Sequence, residues 1–325
     1  MREFAYVRAE DVAEAVELAG PQVRYLAGGT NLFDLMREEV ERPERVVDIS
    51  RLPLAAVDDL PDSGLRLGAL ARNAHVAADD RVRHRYPVLA RALLKGASPQ
   101  LRNRATIGGN LLQRTRCRYF YDLTAACNKR TPGAGCDALA GFNRGHAILG
   151  ASSSCVAVHP SDMCVALAAL DATVNLTGPE GERSVPVTDF HLLPGETPHV
   201  ETVLRSGELV TSVDLPPWPP VSGDYVKVRD RASYAFALIS AAVLLRVEEG
   251  RVAVARIALG GVAHKPWRAY AAEELLIGAA ADEAAFARAA EEAVAGARPL
   301  EHNAFKAEMA RRLVRRTLMD LARSS

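Results

Sequence analysis

The chain has 325 residues, 49% of them hydrophobic, and its 40 basic and 40 acidic side chains leave no net charge. That length allows two or three domains with real cores, and neutrality excludes a molecule built as a whole for nucleic acid or an anionic membrane. The opening MREFAYVRAEDVAEAVELAG has no long apolar run and no small-residue cleavage site, so neither signal peptide nor membrane span is expected and the expected location is cytoplasmic.

In chain order, DVAEAVELAG reads as a short amphipathic helix closed by Gly20. VRYLAGGTNLFDLMREE reads as a strand, a Gly-Gly turn and a helix, with Thr30 or Asn31 near the helix start. RVVDIS and GLRLGAL are strands by pattern, and HVAADDRVRHRYPVLARALLKGA reads as helices broken at Pro87. ATIGGNLLQ is a second Gly-Gly turn, and residues 113–154 are irregular. PSDMCVALAALDATVNL is a helix running into a strand, with Ser161 or Asp162 as N-cap. LVTSVDL and the segment after the proline-rich corner PPWPP are strands. ALISAAVLLRVEEGRVAVARIALGGVA reads as strands joined by a tight turn, followed by alanine-rich helices. Trp218 and Trp267, beside prolines, read as packing corners.

The expected fold class is therefore α+β. It has a small α/β lobe over residues 1–55, a second unit over 56–216 with an irregular insertion at about 113–156, and an antiparallel sheet with helices over 217–325.

The two glycine turns, LAGGTNL and TIGGNLLQ, carry one idea twice. Paired glycines let backbone amides approach a ligand and point together at phosphate oxygens, so two such loops suit a pyrophosphate clasped from both sides. Neither loop is G-x-G-x-x-G, and the P-loop signature is absent, so a nucleotide here needs another fold.

Four of the five cysteines, Cys117, Cys127, Cys136 and Cys155, fall within 39 residues, separated by nine, eight and eighteen residues. Buried thiols, disulfides and metal ligands all remain open on spacing alone. The C-x2-4-C knuckle of zinc sites is missing, and a reducing compartment disfavours disulfides. The segment overlaps a basic island of Arg102, Arg104, Arg114, Arg116, Arg118, Lys129, Arg130 and Arg144, against only Asp122 and Asp137. Tyr119, Phe120 and Tyr121 match no nucleic-acid recognition module. His146, within the segment, and His159, just after it, read as hydrogen-bonded core histidines with a ligand role as the alternative, while Cys164 reads as packing. No Ser–His–Asp set and no H-E-x-x-H is visible.

YLAGGTNLFDLM, ATIGGNLLQR, HPSDMCVAL and YVKVRDRASYAFALISAAV, in this order, resemble the FAD-binding medium chains of molybdenum hydroxylases. Those are the subunits of the xanthine dehydrogenase, carbon monoxide dehydrogenase and aldehyde oxidoreductase type. The resemblance implies a two-part FAD domain of the p-cresol methylhydroxylase type followed by a smaller domain. It implies that Leu26, Ala27, Gly28, Gly29, Thr30, Asn31 and Leu32 wrap the FAD with Thr106, Gly108, Gly109 and Asn110, and that Val210 belongs to the cofactor site. It further implies that Asp162 and Lys227 lie near the flavin ring; on the residues alone Asp162 is a helix cap and Lys227 an exposed strand charge. The cysteine segment resembles a subset of the family, including a bacterial aldehyde oxidoreductase type. There Cys117, Cys127, Cys136 and Cys155 would hold an extra [4Fe–4S] cluster, with the basic island offsetting its negative charge.

The activity so implied is electron transfer within a molybdenum hydroxylase. Its partners would be a molybdopterin-containing large subunit and a small subunit with [2Fe–2S] clusters, with no nucleic acid. The alternatives are a free-standing FAD-dependent oxidoreductase and a scaffold that has lost its flavin. Export bound to a signal-bearing partner is the alternative to the cytoplasm.

Overall fold

A computed structural model describes residues 1–217 and 221–323. Trp218 and most of the expected PPWPP corner lie outside the described residues.

The chain opens with β1 (Ala5–Arg8), α1 (Val12–Glu17), β2 (Val23–Leu26), α2 (Leu32–Arg37) and β3 (Arg45–Asp48). The strands form a parallel sheet in the order β1-β3-β2. Asp11 caps α1 by accepting from the Glu14 amide at 2.8 Å. Asn31 holds the N-cap position of α2 but makes no capping bond, because its side chain is used elsewhere.

The next unit runs through β4 (Val57–Asp59), β5 (Leu65–Gly68), α3 (Asn73–Ala78), α4 (Asp80–Arg85), α5 (Pro87–Lys95), α6 (Pro99–Arg102), α7 (Ile107–Leu111) and α8 (Arg118–Tyr121). It continues with α9 (Asp162–Ala169), β6 (Thr173–Gly178), β7 (Gly181–Pro186), α10 (Val187–Phe190) and β8 (Leu209–Leu215). The break expected at Pro87 is there: α4 ends at Arg85 and Pro87 opens α5. The second Gly-Gly turn is not a turn. Gly108 and Gly109 sit inside the first turn of α7, which Thr106 caps by accepting from the Gly109 amide at 3.2 Å. The five strands of this unit pair antiparallel in the order β4-β5-β8-β6-β7.

The last unit comprises β9 (Ser222–Val228), β10 (Ile239–Glu248), β11 (Arg251–Gly260), β12 (Trp267–Arg268), α11 (Tyr270–Leu276), α12 (Glu283–Glu292) and α13 (Phe305–Ala322). Glu249 and Gly250, at φ 50° and 75°, form the two-residue hairpin between β10 and β11. Trp267 packs against this unit's core as expected.

The sheet β12-β11-β10-β9 is buried on both faces. Ile239, Ala241, Val243 and Leu245 meet the C-terminal helices, while Ala242 and Leu244 join the core that also holds α5 and α9. Alternation thus works twice in one strand, which explains its unbroken apolar sequence. Helix α9 lies in that shared core with all eight residues buried.

Arg268 joins the units. It is 8% exposed, pairs with Glu273 of α11, and reaches Asp171 at 2.6 Å just beyond α9. Burial pushes Glu273 above its usual carboxylate range, against the opposing pull of Arg268. Replacing Arg268 with Met leaves that carboxylate buried and unpaired. The expected loss is about 3–5 kcal/mol, read as a lowered urea midpoint.

Candidate functional site

The two glycine loops meet through backbone. A Cβ on Gly28 would stand 2.1 Å from the Arg104 carbonyl oxygen, so only glycine lets the first loop touch the approach to the second. Gly29 turns at φ +74°, where a Cβ would also strike the Phe33 ring at 2.7 Å. Asn31 Oδ1 accepts from the Arg114 amide at 2.9 Å and so ties the first loop to the end of the second. Asn110 Oδ1 accepts from the Ser161 hydroxyl at 2.8 Å and ties the second loop to the start of α9.

Ala27 through Leu32, Thr106, Gly108, Gly109 and Val210 line one cavity of about 480 Å3. Leu26 and Asn110, expected at the same site, are not among its lining residues. The backbone N–H groups of Gly28, Gly29, Thr30 and Asn31 have no acceptor among the described residues. Four amides beside a cavity and without acceptors are what an anionic, oxygen-rich ligand requires.

The far wall was not legible in the sequence. Arg24, Glu41, Arg114, Glu201 and Lys129 form a ladder of ion pairs along it. Lys129 is 3% exposed and donates to Glu201 at 2.6 Å and to the Pro198 carbonyl at 2.9 Å. Burial alone would raise the Glu201 carboxyl; Lys129 and Arg114 outweigh it and hold the group below its usual range.

His159, His191 and His264 complete the wall. His191 Nε2 donates to the Leu111 carbonyl at 2.9 Å, leaving its Nδ1 without a partner. Among the described residues, His159 Nε2 and both nitrogens of His264 are likewise buried without a well-formed hydrogen bond, the Leu111 backbone lying near His159 and the Ala157 backbone near His264. Burial lowers His191 to about 4 and, with help from Lys129, His264 to about 3, so both are neutral at pH 7. Cys164 lies beside His159 and His191, its thiol pushed up to about 12 by burial.

A second cavity shares Thr115, Val158 and His159 with the first and contains Ser161, Asp162, Phe236, Cys117 and His146 in its wall. Asp162 is not the N-cap of α9; Ser161 is, accepting from the Cys164 amide at 3.1 Å. The Asp162 carboxylate instead accepts from Tyr225 at 2.5 Å and from Lys227 at 2.7 Å. Tyr225 and Lys227 share one face of β9 by strand periodicity. Lys227 is no exposed charge: its side chain is 2% exposed, and its ammonium sits behind Asp162 rather than on the cavity wall.

None of the four clustered cysteines is in a disulfide, and they are neighbours in the fold: Cys117 senses Cys127 and Cys136, and Cys136 meets Cys155. Cys127 and Cys136 face each other in an antiparallel bridge. Cys136 and Cys155 share a hydrogen bond that keeps Cys155 protonated and lets Cys136 ionise first. Backbone amides near the sulfurs of Cys117, Cys136 and Cys155 favour their ionisation, although those of Phe120 and Leu139 also donate to the carbonyls of Cys117 and Cys136. Backbone donors near sulfur suit thiolates.

The basic island does something other than expected. Arg114 pairs with Glu41 and Glu201, Arg144 with Asp230, and Arg130 donates to the carbonyls of Tyr119, Phe120 and Ala125. The charge of Lys129 eases ionisation of Cys155 through space.

Cradle, free amides and polar wall define a protein that binds a dinucleotide-like cofactor without a Rossmann fingerprint. Residues 2–218 match the family described as FAD binding domain in molybdopterin dehydrogenase, and residues 224–321 match the CO dehydrogenase flavoprotein C-terminal domain. The aldehyde oxidoreductase FAD-binding subunit PaoB of Escherichia coli is 49% identical, covering 98% of both chains. The carbon monoxide dehydrogenase medium chain of Afipia carboxidovorans is 28% identical over 88% of this chain and 84% of its own. Among solved structures, carbon monoxide dehydrogenase from Hydrogenophaga pseudoflava superposes with a TM-score of 0.78 at 28% identity, covering 99% of this chain and 98% of that one. Quinoline 2-oxidoreductase from Pseudomonas putida gives 0.76 at 26%, with the same coverage. The chain belongs to the FAD-binding subunits of the molybdenum hydroxylase family. Among the described residues no helix is long and apolar enough to cross a membrane.

Gly28→Ala should force the loops apart and weaken FAD retention about tenfold or more, read as flavin per purified chain. A second expectation concerns pH. His191 and His264 stay neutral in the folded chain but gain protons near pH 6.5 when unfolded, so stability falls as pH drops from about 6.5 toward 4. Each contributes about 1.4 kcal/mol per pH unit at most. The double variant His191→Gln, His264→Gln should flatten that slope in urea melts.

Proposed function

We propose that this chain carries electrons for a molybdenum hydroxylase acting on an aldehyde, through FAD held in the first cavity with its ring in the second. The observation that carries the reading is the row of acceptor-free amides from Gly28 to Asn31 at the junction of two glycine loops. When bound, FAD supplies the exchange of electrons.

The chain's residues do the rest. The amides of the first loop bind the pyrophosphate, while Gly108 and Gly109 at the start of α7, whose amides already donate within the protein, keep that side of the cavity free of side chains. The unpartnered nitrogens of His159, His191 and His264 meet the polar middle of the cofactor, where neutral imidazoles donate or accept without adding charge. Asp162, clamped by Tyr225 and Lys227, presents a fixed carboxylate to the ring cavity, and Lys227 behind it offsets that charge. No side chain need abstract a proton.

Cys117, Cys127, Cys136 and Cys155 hold a [4Fe–4S] cluster in this reading. The support is their proximity in the fold and the amides near three of their sulfurs. The partners are a molybdopterin-containing large subunit and a small [2Fe–2S] subunit. The aldehyde class rests on the relative that is 49% identical. Five free cysteines favour the reducing cytoplasm.

A second reading, a free-standing flavoenzyme, draws on the room in the second cavity. An anaerobic stopped-flow experiment separates the two. The flavin should reduce when the co-purified partner subunits receive aldehyde, and stay oxidised when the chain alone does. Reduction of the isolated chain by aldehyde would favour the free-standing enzyme. For the cluster, Cys127→Ser should lose iron and keep FAD; unchanged iron sinks that ligand set.

A further inference from the structure

His146 lies in the irregular segment between Cys136 and Cys155, and no part of the proposed function uses it. Its Nε2 stands 3.1 Å from the Cys117 sulfur. The ring is 7% exposed, and Nδ1 has no partner among the described residues. Those facts select the tautomer. The Asn143 carbonyl lies near the ring but makes no well-formed hydrogen bond with it, so a proton on Nδ1 would be poorly satisfied and would aim a lone pair at sulfur. A proton on Nε2 aims the only donor at an acceptor and leaves a bare lone pair, the less costly orphan.

The imidazole is also held in place from the last unit. Lys306 of α13, fully buried, donates to the His146 carbonyl at 2.7 Å and also to the carbonyls of Gly261 and Gly145. Asn303 donates to the same His146 carbonyl at 3.2 Å. The His146 amide donates to the Asn143 carbonyl at 2.9 Å, and Asn143 Oδ1 accepts from the His302 amide. The backbone of His146 is thus clamped from both sides, and the ring has little freedom to swing away from sulfur.

Cys117 is the member of the cysteine set that lines the second cavity, and His146 lines it too. The other three cysteines do not contribute to that wall among the described residues. The hydrogen bond therefore sits on the sulfur facing the space assigned to the flavin ring.

We propose that His146 is a positioning residue that donates Nε2–H to the Cys117 thiolate and raises the reduction potential of the cluster that thiolate holds. The proposal rests on the cluster reading. A hydrogen bond to a ligand sulfur stabilises the reduced form more than the oxidised form, because the reduced form carries more negative charge. Removing the donor should leave iron binding intact and make the cluster harder to reduce.

The test uses the full chain, purified anaerobically, with iron analysis and a redox titration followed by electron paramagnetic resonance. His146→Phe fills the space and removes the donor, whereas His146→Gln keeps an N–H. The expected result is wild-type iron in both, a clearly lower midpoint for His146→Phe, and a midpoint nearer the wild type for His146→Gln. If the phenylalanine variant fails to fold, the glutamine variant decides: its weaker donor should lower the midpoint in the same direction. Wild-type iron with an unchanged midpoint overturns the proposal and leaves the cluster standing. Loss of iron from both variants overturns it as well, by making His146 part of what holds the cluster. A wild-type chain without iron removes the cluster reading itself, and this proposal with it.

Discussion

Burying charge is the constraint on which this site depends. Glu201 lies between Arg114 and Lys129, Arg114 also holds Glu41, and Glu41 holds Arg24. Unpaired, the buried Lys129 would cost several kcal/mol, whereas Arg24 at the exposed end of the ladder would cost little. Paired, they lock five distant stretches together: β2, the loop after α2, the end of the second glycine loop, the cysteine segment, and the loop before β8 that carries Glu201. Lys129 is two residues from Cys127, so the ladder that walls the nucleotide cavity also anchors the cysteine set. Cofactor cradle and cysteine segment are one construction.

The cysteines are consequently served by backbone rather than by arginine. Amides of residues two and three positions after Cys117 and Cys136 lie near the sulfurs, which a glycine-rich, proline-broken, aperiodic segment permits. The arginines stabilise that irregular path. Arg130 gathers three carbonyls that no helix or strand would satisfy. Positive charge counted along the sequence is therefore a poor guide to which sulfur it serves.

Much of the fold was legible because it is local. The helix capped by Asp11, the break at Pro87, the Ser161 cap and the hairpin at Glu249–Gly250 all announce themselves within a few residues. The glycine loops were legible as a pair, although the second proved to be a helix start, since Thr106 and its capping bond override the turn preference of two glycines. Short strands such as β1 and β7 carry too few residues for a clear period. The polar wall was out of reach for a different reason. Glu201, His191 and His264 stand in stretches with no motif, and they matter only because folding brings them to residues 70 or more positions away. Lys227 shows the same limit: a lysine on a strand reads as exposed until Asp162 and Tyr225 are placed around it.

The most direct test of the account is iron and flavin analysis on one anaerobically purified sample of the intact chain. The account predicts about four iron atoms and one FAD per chain, the content of one cluster and one nucleotide cavity. FAD without iron would contradict it. The glycine cradle would stand, but the proximity of Cys117, Cys127, Cys136 and Cys155 would need another explanation.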